Sequence, residues 1–190
     1  MEVGGRPLIE WSLGACREAA SIETIVVAVP PGEEDRVIAL GVEAVPGGSV
    51  RADSVAAGLE RVETELVVIH DAARPFVTAA LVDELVAELA STPGADGVIA
   101  AAPVTDTIKE ARDGRILHTL DRSKLWGAQT PQVFRTAKLR EAIDLDSEAT
   151  DEAMLIEAAG GTVLLRETTG PNFKVTTADD LRLAEVLLGG

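Results

Sequence analysis

Positive charge is in short supply in this chain. Seventeen lysine and arginine side chains face thirty-two aspartates and glutamates, a formal net charge of −15, which argues against any broad affinity for nucleic acid or an anionic membrane. A phosphate, if bound, must be held by a few local cations. Only Lys109, Lys124, Lys138 and Lys174 are lysines, so a lysine inside a polar motif stands out. Cysteine is reduced to Cys16, which excludes an intramolecular disulfide and a cysteine zinc cluster; its apolar-patterned segment points to core packing. His70 and His118 are too far apart and too unsupported to suggest a metal pair, and no serine sits in a nucleophile-elbow pattern. No segment approaches the roughly 20 apolar residues of a bilayer span, and no basic-then-apolar leader opens the chain. The expectation is a cytoplasmic protein with neither nucleic acid nor membrane as partner. Internal repeats and low-complexity tracts are missing too, which removes solenoid and disordered readings.

What is present suits one compact domain: 190 residues, 46% of them hydrophobic, can bury a substantial core. Leu8, Ile9, Ser12, Leu13, Cys16 and Ala19 recur at helical spacing, and Thr24 to Val29 is a β-branched run closed by Pro30 and Pro31. Val55 to Val62 reads as a second helix, and Leu66 to Ile69 as a buried strand cut off by His70 and Asp71. Thr78 can cap a helix with Leu81, Val82, Leu85, Val86 and Leu89 on one face, before a strand over Gly97 to Val104. After an irregular stretch from Thr107 to Phe134, Thr150 can cap a helix, Thr162 to Leu165 reads as a strand, and Thr177 opens a last helix with Asp179 and Asp180 behind it. This alternation predicts an α/β fold, a mostly parallel sheet covered by helices on both faces, with ligands beyond the carboxyl ends of the strands. The irregular stretch reads as an excursion from the sheet.

Several polar segments punctuate this frame. His70-Asp71-Ala72-Ala73-Arg74-Pro75 sets a carboxylate and a guanidinium three positions apart after a strand, a pair fit to hold a hard cation and a phosphate, or equally a strand-end ion pair. Gly47-Gly48-Ser49-Val50-Arg51-Ala52-Asp53-Ser54 offers flexible backbone and donors before a helix; it reads as an anion or base cradle, or as a plain turn with Asp53 or Ser54 as N-cap. It lacks the G-x-x-x-x-G-K-[ST] pattern of a P-loop. Asp106-Thr107-Ile108-Lys109 and Asp121-Arg122 flank the excursion, and Lys174 follows Gly170-Pro171-Asn172-Phe173 where a loop can face the same crevice.

Taken in order, Pro46-Gly47-Gly48, Arg51-Ala52-Asp53-Ser54-Val55, His70 to Pro75, Asp106-Thr107-Ile108-Lys109, Leu120-Asp121-Arg122, Gln129-Thr130-Pro131-Gln132, Ala149-Thr150-Asp151-Glu152-Ala153 and Asn172-Phe173-Lys174-Val175-Thr176 closely resemble the methylerythritol phosphate cytidylyltransferases. The fragments are weak singly and specific together, and they span nearly the whole chain. The resemblance implies a Rossmann-like nucleotidyltransferase of the non-mevalonate isoprenoid route. It would join CTP to 2-C-methyl-D-erythritol 4-phosphate with release of pyrophosphate, using Mg2+. It also implies roles: Gly48 and Ser54 at the cytidine base; Asp71, Ala72 and Arg74 at the ribose, triphosphate and metal, with Asp71 the metal ligand; Lys174 at the reacting phosphates, forming with Asp71 and Arg74 the catalytic set. Thr107, Arg122, Thr130 and Thr150 would serve the polyol phosphate, and the arm over about residues 105 to 130 would embrace a second subunit in a homodimer.

The resemblance also implies a strand and a Gly-rich loop carrying an arginine and a Pro-Lys pair ahead of Gly4-Gly5-Arg6-Pro7-Leu8, and none is written there. The expectation is an N-terminally incomplete domain that loses CTP affinity and most transition-state stabilisation, and with them much of its activity. Two other readings stay open at this stage, a cytidylyltransferase for ribitol 5-phosphate and a noncatalytic dimerising remnant.

Overall fold

A computed structural model describes residues 1–143 and 149–189. In chain order the elements are β1 (Glu2–Val3), β2 (Arg6–Pro7), α1 (Leu8–Glu18), β3 (Val26–Val29), α2 (Glu34–Ile38), β4 (Glu43–Pro46), α3 (Arg51–Leu59), β5 (Leu66–Ile69), α4 (Ala79–Ser91) and β6 (Gly97–Pro103). They continue with β7 (Lys109–Arg112), β8 (Arg115–Thr119), a 3-10 turn at Arg122–Lys124, β9 (Trp126–Arg135), α5 (Thr136–Ile143), α6 (Glu152–Ala158), β10 (Val163–Glu167) and α7 (Ala178–Leu188).

The central sheet has the order β10-β6-β9-β5. β6 pairs parallel with β10, while β9 runs antiparallel to both β6 and β5. Three of the four strands therefore point one way, and β9 is the exception. A separate parallel pair joins β3 to β4. Because successive side chains of a strand alternate faces, each sheet face builds its own core. Val67, Ile99 and Phe134 pack under α5 and α6 with Leu139, Ala142, Ala153, Leu155 and Ile156, whereas Val98, Ala100 and Val133 pack under α4 with Leu85 and Leu89. Phe134 is wholly enclosed, worth about 1.5–3 kcal/mol of apolar transfer for a side chain of this kind. Gly97 lies opposite it, since a β-carbon there would stand 2.5 Å from the Phe134 ring.

Local chemistry fixes the helix starts. The Thr78 hydroxyl accepts from Leu81 N at 3.2 Å. Thr177 accepts from Asp180 N at 3.1 Å while the Asp180 carboxylate takes Thr176 N and Thr177 N at 2.9 and 2.8 Å, a reciprocal cap. Those backbone hydrogen bonds, with help from the two hydroxyls, pull the Asp180 carboxyl down to about 2.

Three local expectations need correcting. Asp151, not Thr150, caps α6, accepting from Met154 N at 3.0 Å; a carboxylate one residue later is the stronger acceptor. Helix α3 begins at Arg51, capped at Val50, so neither Asp53 nor Ser54 is its N-cap; the Asp53 carboxylate instead reaches back to Ser49 N and Oγ at 3.1 and 3.0 Å. The stretch after Thr107 is not irregular: it holds the β7–β8 hairpin, all of whose strand residues are exposed, and then the inward-running β9. Cys16 is half-buried on α1, and its burial raises the thiol pKa.

Candidate active site

The site is assembled where β5 ends. Ile69 is the last strand residue, and the chain then turns through His70 and Asp71, Arg74 N bonding back to Asp71 O at 2.9 Å. A distant segment is tied to this turn by the backbone: Val175 N donates to Ala73 O at 2.8 Å, and Arg74 Nη1 donates to Asn172 O at 2.7 Å. The Phe76 and Phe173 rings, 4.7 Å apart, seal the junction. Lys174 is thereby delivered to Asp71, its Nζ 2.9 Å from Oδ2.

Two further cations complete the cluster. Arg51, the first residue of α3, places Nε 3.3 Å from Asp71 Oδ1 and Nη1 2.5 Å from Oε1 of the buried Glu152. Arg74 Nε stands 4.0 Å from Asp71 Oδ2, the edge of an ion pair. Burial works against ionising Asp71, but Lys174 and Arg51 outweigh it and hold the carboxyl below its ordinary value. Burial likewise opposes the charge on Arg51, and Glu152 followed by Asp71 more than restores it. Arg74 moves the other way, lowered by burial that Asp71 only partly offsets.

Behind Asp71 lies a polar brace. The Thr130 hydroxyl accepts from Asp71 N at 3.0 Å and meets His70 Nδ1 at 3.0 Å, while His70 Nε2 sits 3.2 Å from Arg74 O. Burial pushes the imidazole down to about 4 against the lesser pull of the Arg74 carbonyl and Asp71, so it is neutral at neutral pH. Asn172 Nδ2 donates to Gln129 Oε1 and Thr130 O, both at 2.9 Å.

Beside this cluster opens a cleft of about 420 Å³ between Arg74, Phe173 and Lys174 on one wall, Pro103 at the end of β6 with Thr105 and Asp106 after it on another, and Gly127 to Gln129 of β9 below. Its walls follow the carboxyl ends of β5 and β6, where ligands of such sheets bind.

The remaining sequence-derived candidates are placed variously. Gly48 and Ser54 share the turn before α3, Gly48 N donating to Ser54 Oγ at 3.2 Å; a β-carbon on Gly48 would fall 2.0 Å from Asp53 Cβ. Ala72 is exposed beside Asp71. Thr107 is exposed near the cleft rim, and the exposed Arg122 donates to Thr105 O. Thr130 is buried, with its hydroxyl already engaged behind Asp71, so it braces the site from within. Thr150 is exposed and its hydroxyl points to Met154 Sδ at 3.9 Å. Glu152 was not singled out by sequence reasoning, although it lies in a quoted motif; its burial depends on how α6 packs, which no local pattern states.

Among the described residues no three histidine, cysteine, aspartate or glutamate side chains gather as a metal cluster. Asp71 is the carboxylate of this cluster that could hold magnesium, but Arg51 and Lys174 occupy its two oxygens, so the ion would have to displace one of them and bring its own phosphate and water ligands.

The family model for 2-C-methyl-D-erythritol 4-phosphate cytidylyltransferase, IspD, matches residues 1–190. The bifunctional enzyme IspD/IspF of Anaeromyxobacter dehalogenans is 45% identical over 98% of this chain and 51% of its own length. The 2-C-methyl-D-erythritol 4-phosphate cytidylyltransferase of Azoarcus is 42% identical, over 97% of this chain and 83% of its own. The chain spans about half the length of the bifunctional relatives. The crystal structure of 2-C-methyl-D-erythritol 4-phosphate cytidylyltransferase from Thermus thermophilus superposes with a TM-score of 0.86 at 39% identity, over 98% of this chain and 91% of that one. With the site's geometry and these likenesses together, the chain belongs to the 2-C-methyl-D-erythritol 4-phosphate cytidylyltransferase family.

Proposed function

We propose that the protein transfers the cytidylyl group of CTP to the phosphate of 2-C-methyl-D-erythritol 4-phosphate, releasing pyrophosphate. The observation that carries this reading is the convergence of Arg51, Arg74 and Lys174 on one carboxylate in a chain of net charge −15. Cations gathered against the charge of the whole molecule fit two polyanionic reactants.

No protein nucleophile is needed. A phosphate oxygen of the polyol substrate attacks the α-phosphorus, and the bond to the bridging oxygen of pyrophosphate breaks. Lys174, which can leave Asp71 for a phosphate, would neutralise charge gathering on the nonbridging oxygens, and Arg74 would steady the neighbouring phosphates across the cleft. Asp71, ionised and braced by Thr130, would hold magnesium, which when bound adds positive charge at the triphosphate. The Gly47–Val50 turn and Ser54 would seat the cytosine. Thr107 and Arg122, on an arm that crosses to a second copy in a homodimer, would grip the polyol phosphate.

The test is pyrophosphate release by the chain with CTP, Mg2+ and either 2-C-methyl-D-erythritol 4-phosphate or ribitol 5-phosphate. With CTP at saturating concentration, slow turnover of the methylerythritol substrate is expected, in keeping with the weak triphosphate hold anticipated from the sequence; turnover of ribitol phosphate alone, or of neither, overturns the reading.

A further inference from the structure

Glu152 has no part in the chemistry above, yet it is 2% exposed. A carboxylate at that depth is costly unless paired. Among the described residues its single partner is Arg51 Nη1 at 2.5 Å, and Oε2 is buried without a hydrogen bond. The ground beneath it is fixed: the preceding Asp151 caps α6 through Met154 N and also takes Gln132 Nε2 of β9 at 3.1 Å. Arg51 by contrast is on a long, flexible side chain, 34% exposed.

We propose that Glu152 is a positioning residue for the phosphoryl-transfer site: by holding Arg51 Nη1 it aims Arg51 Nε at Asp71 Oδ1 and leaves Oδ2 facing Lys174. The inference rests on the functional reading above. The guanidinium is planar, with donors in a rigid fork, so anchoring one edge sets the direction of the other. Released from Glu152, the same fork can close on both oxygens of Asp71, the preferred bidentate geometry of an arginine and a carboxylate, or swing into solvent. Either outcome removes the division of labour between Oδ1 and Oδ2. A merely structural tie between α3 and α6 would use the same ion pair, so the test must separate the two.

Crystal structures of the wild-type chain and of Glu152→Gln, both without substrate, read the aim directly. The Arg51 guanidinium is expected to move in the variant, closing on both Asp71 oxygens or leaving them; a guanidinium that stays in place overturns the proposal. In the pyrophosphate assay Glu152→Gln should lower kcat by roughly 10- to 100-fold, the usual loss when the support of a site residue is removed. Replacing Arg51 and Glu152 together by methionine should recover the melting temperature but not kcat. Recovery of both would make the pair structural and overturn the proposal. Should Glu152→Gln not fold, Glu152→Asp, which retracts the carboxylate by one methylene, is read the same way. A wild-type chain without turnover sinks the functional reading alone, because the crystallographic comparison needs no substrate.

Discussion

Lys174 arrives at Asp71 through the Val175–Ala73 backbone bond, so its position does not depend on its own ion pair. With 42% of its side chain exposed, that pair is worth about 1 kcal/mol or less to stability. Lys174→Ala should therefore keep the fold and melting temperature while cutting turnover by about 100- to 1000-fold, the scale for losing one preorganised charge stabiliser; steady-state kinetics beside thermal melts checks both halves, and unchanged kcat removes Lys174 from the chemistry. Asp71, Arg74 and Lys174 were legible in the sequence through the family resemblance that the ordered motifs carry; taken alone, the residues read equally as an ion pair and a solvated lysine. Glu152 was not, since a glutamate in an acidic stretch reads as solvated until α6 is packed. His70 is the other hidden constraint. Its folded-state pKa of about 4 lies below the ordinary 6.5, so the unfolded chain takes up the proton first as pH falls. The stability it protects is whole above pH 6.5 and is lost on descending through pH 4, up to about 3 kcal/mol. The depressed carboxylates Asp71 and Asp180 respond only lower. Urea unfolding between pH 7.5 and 4 should show this slope in the wild type and a flatter one in His70→Asn; parallel slopes would mean that the imidazole titrates normally.

Elements whose signals are local were readable and those defined by partners were not. Thr78 and Thr177 announce α4 and α7 because the capping hydroxyl and its target amides lie within three residues. Leu66–Ile69 was recognised as a strand because a short apolar run has few other uses. β9 escaped, since Gln129, Thr130 and Gln132 give it neither alternation nor apolarity; it is a strand because β5 and β6 bond to its two edges, the β6 register shifting between Ile99 and Ala101. Its antiparallel course follows from the hairpin excursion, which brings the chain back to the sheet from the ligand end. The tightest test of this layer is Gly97. An alanine methyl would meet the Phe134 ring at 2.5 Å and Val133 O at 3.3 Å, with the ring itself wedged among α5 and α6 side chains. Gly97→Ala should cost about 1–3 kcal/mol as an overpacked core, read as a lower urea midpoint at unchanged m; Phe134→Leu in the same chain should recover part of it. An unaltered midpoint would show that the ring has room to move.

At the scale of the whole molecule, one element stands out from the core among the described residues. The β7–β8 hairpin forms its own two-stranded sheet, every strand residue is exposed, and Ile116 and Leu117 present 64% and 53% of their surface. A lone two-stranded ribbon is marginal in water, and two adjacent large apolar residues at its edge call for a cover. The proposed homodimer supplies one, with the arm of each copy laid on the other. Arg122, near its base, would then meet the polyol phosphate of the neighbouring site while a monomer keeps it on Thr105 O. Two measurements follow. Ile116→Asp with Leu117→Asp should shift sedimentation from dimer to monomer and raise the KM for 2-C-methyl-D-erythritol 4-phosphate more than that for CTP, because Asp71 and the turn proposed to seat the cytosine lie wholly within one chain. Arg122→Ala should raise the same KM without dissociating the dimer. If the double aspartate variant sediments like the wild type, the arm is not the interface; if it dissociates with both KM values unmoved, each copy works alone and Arg122 has no role across the boundary.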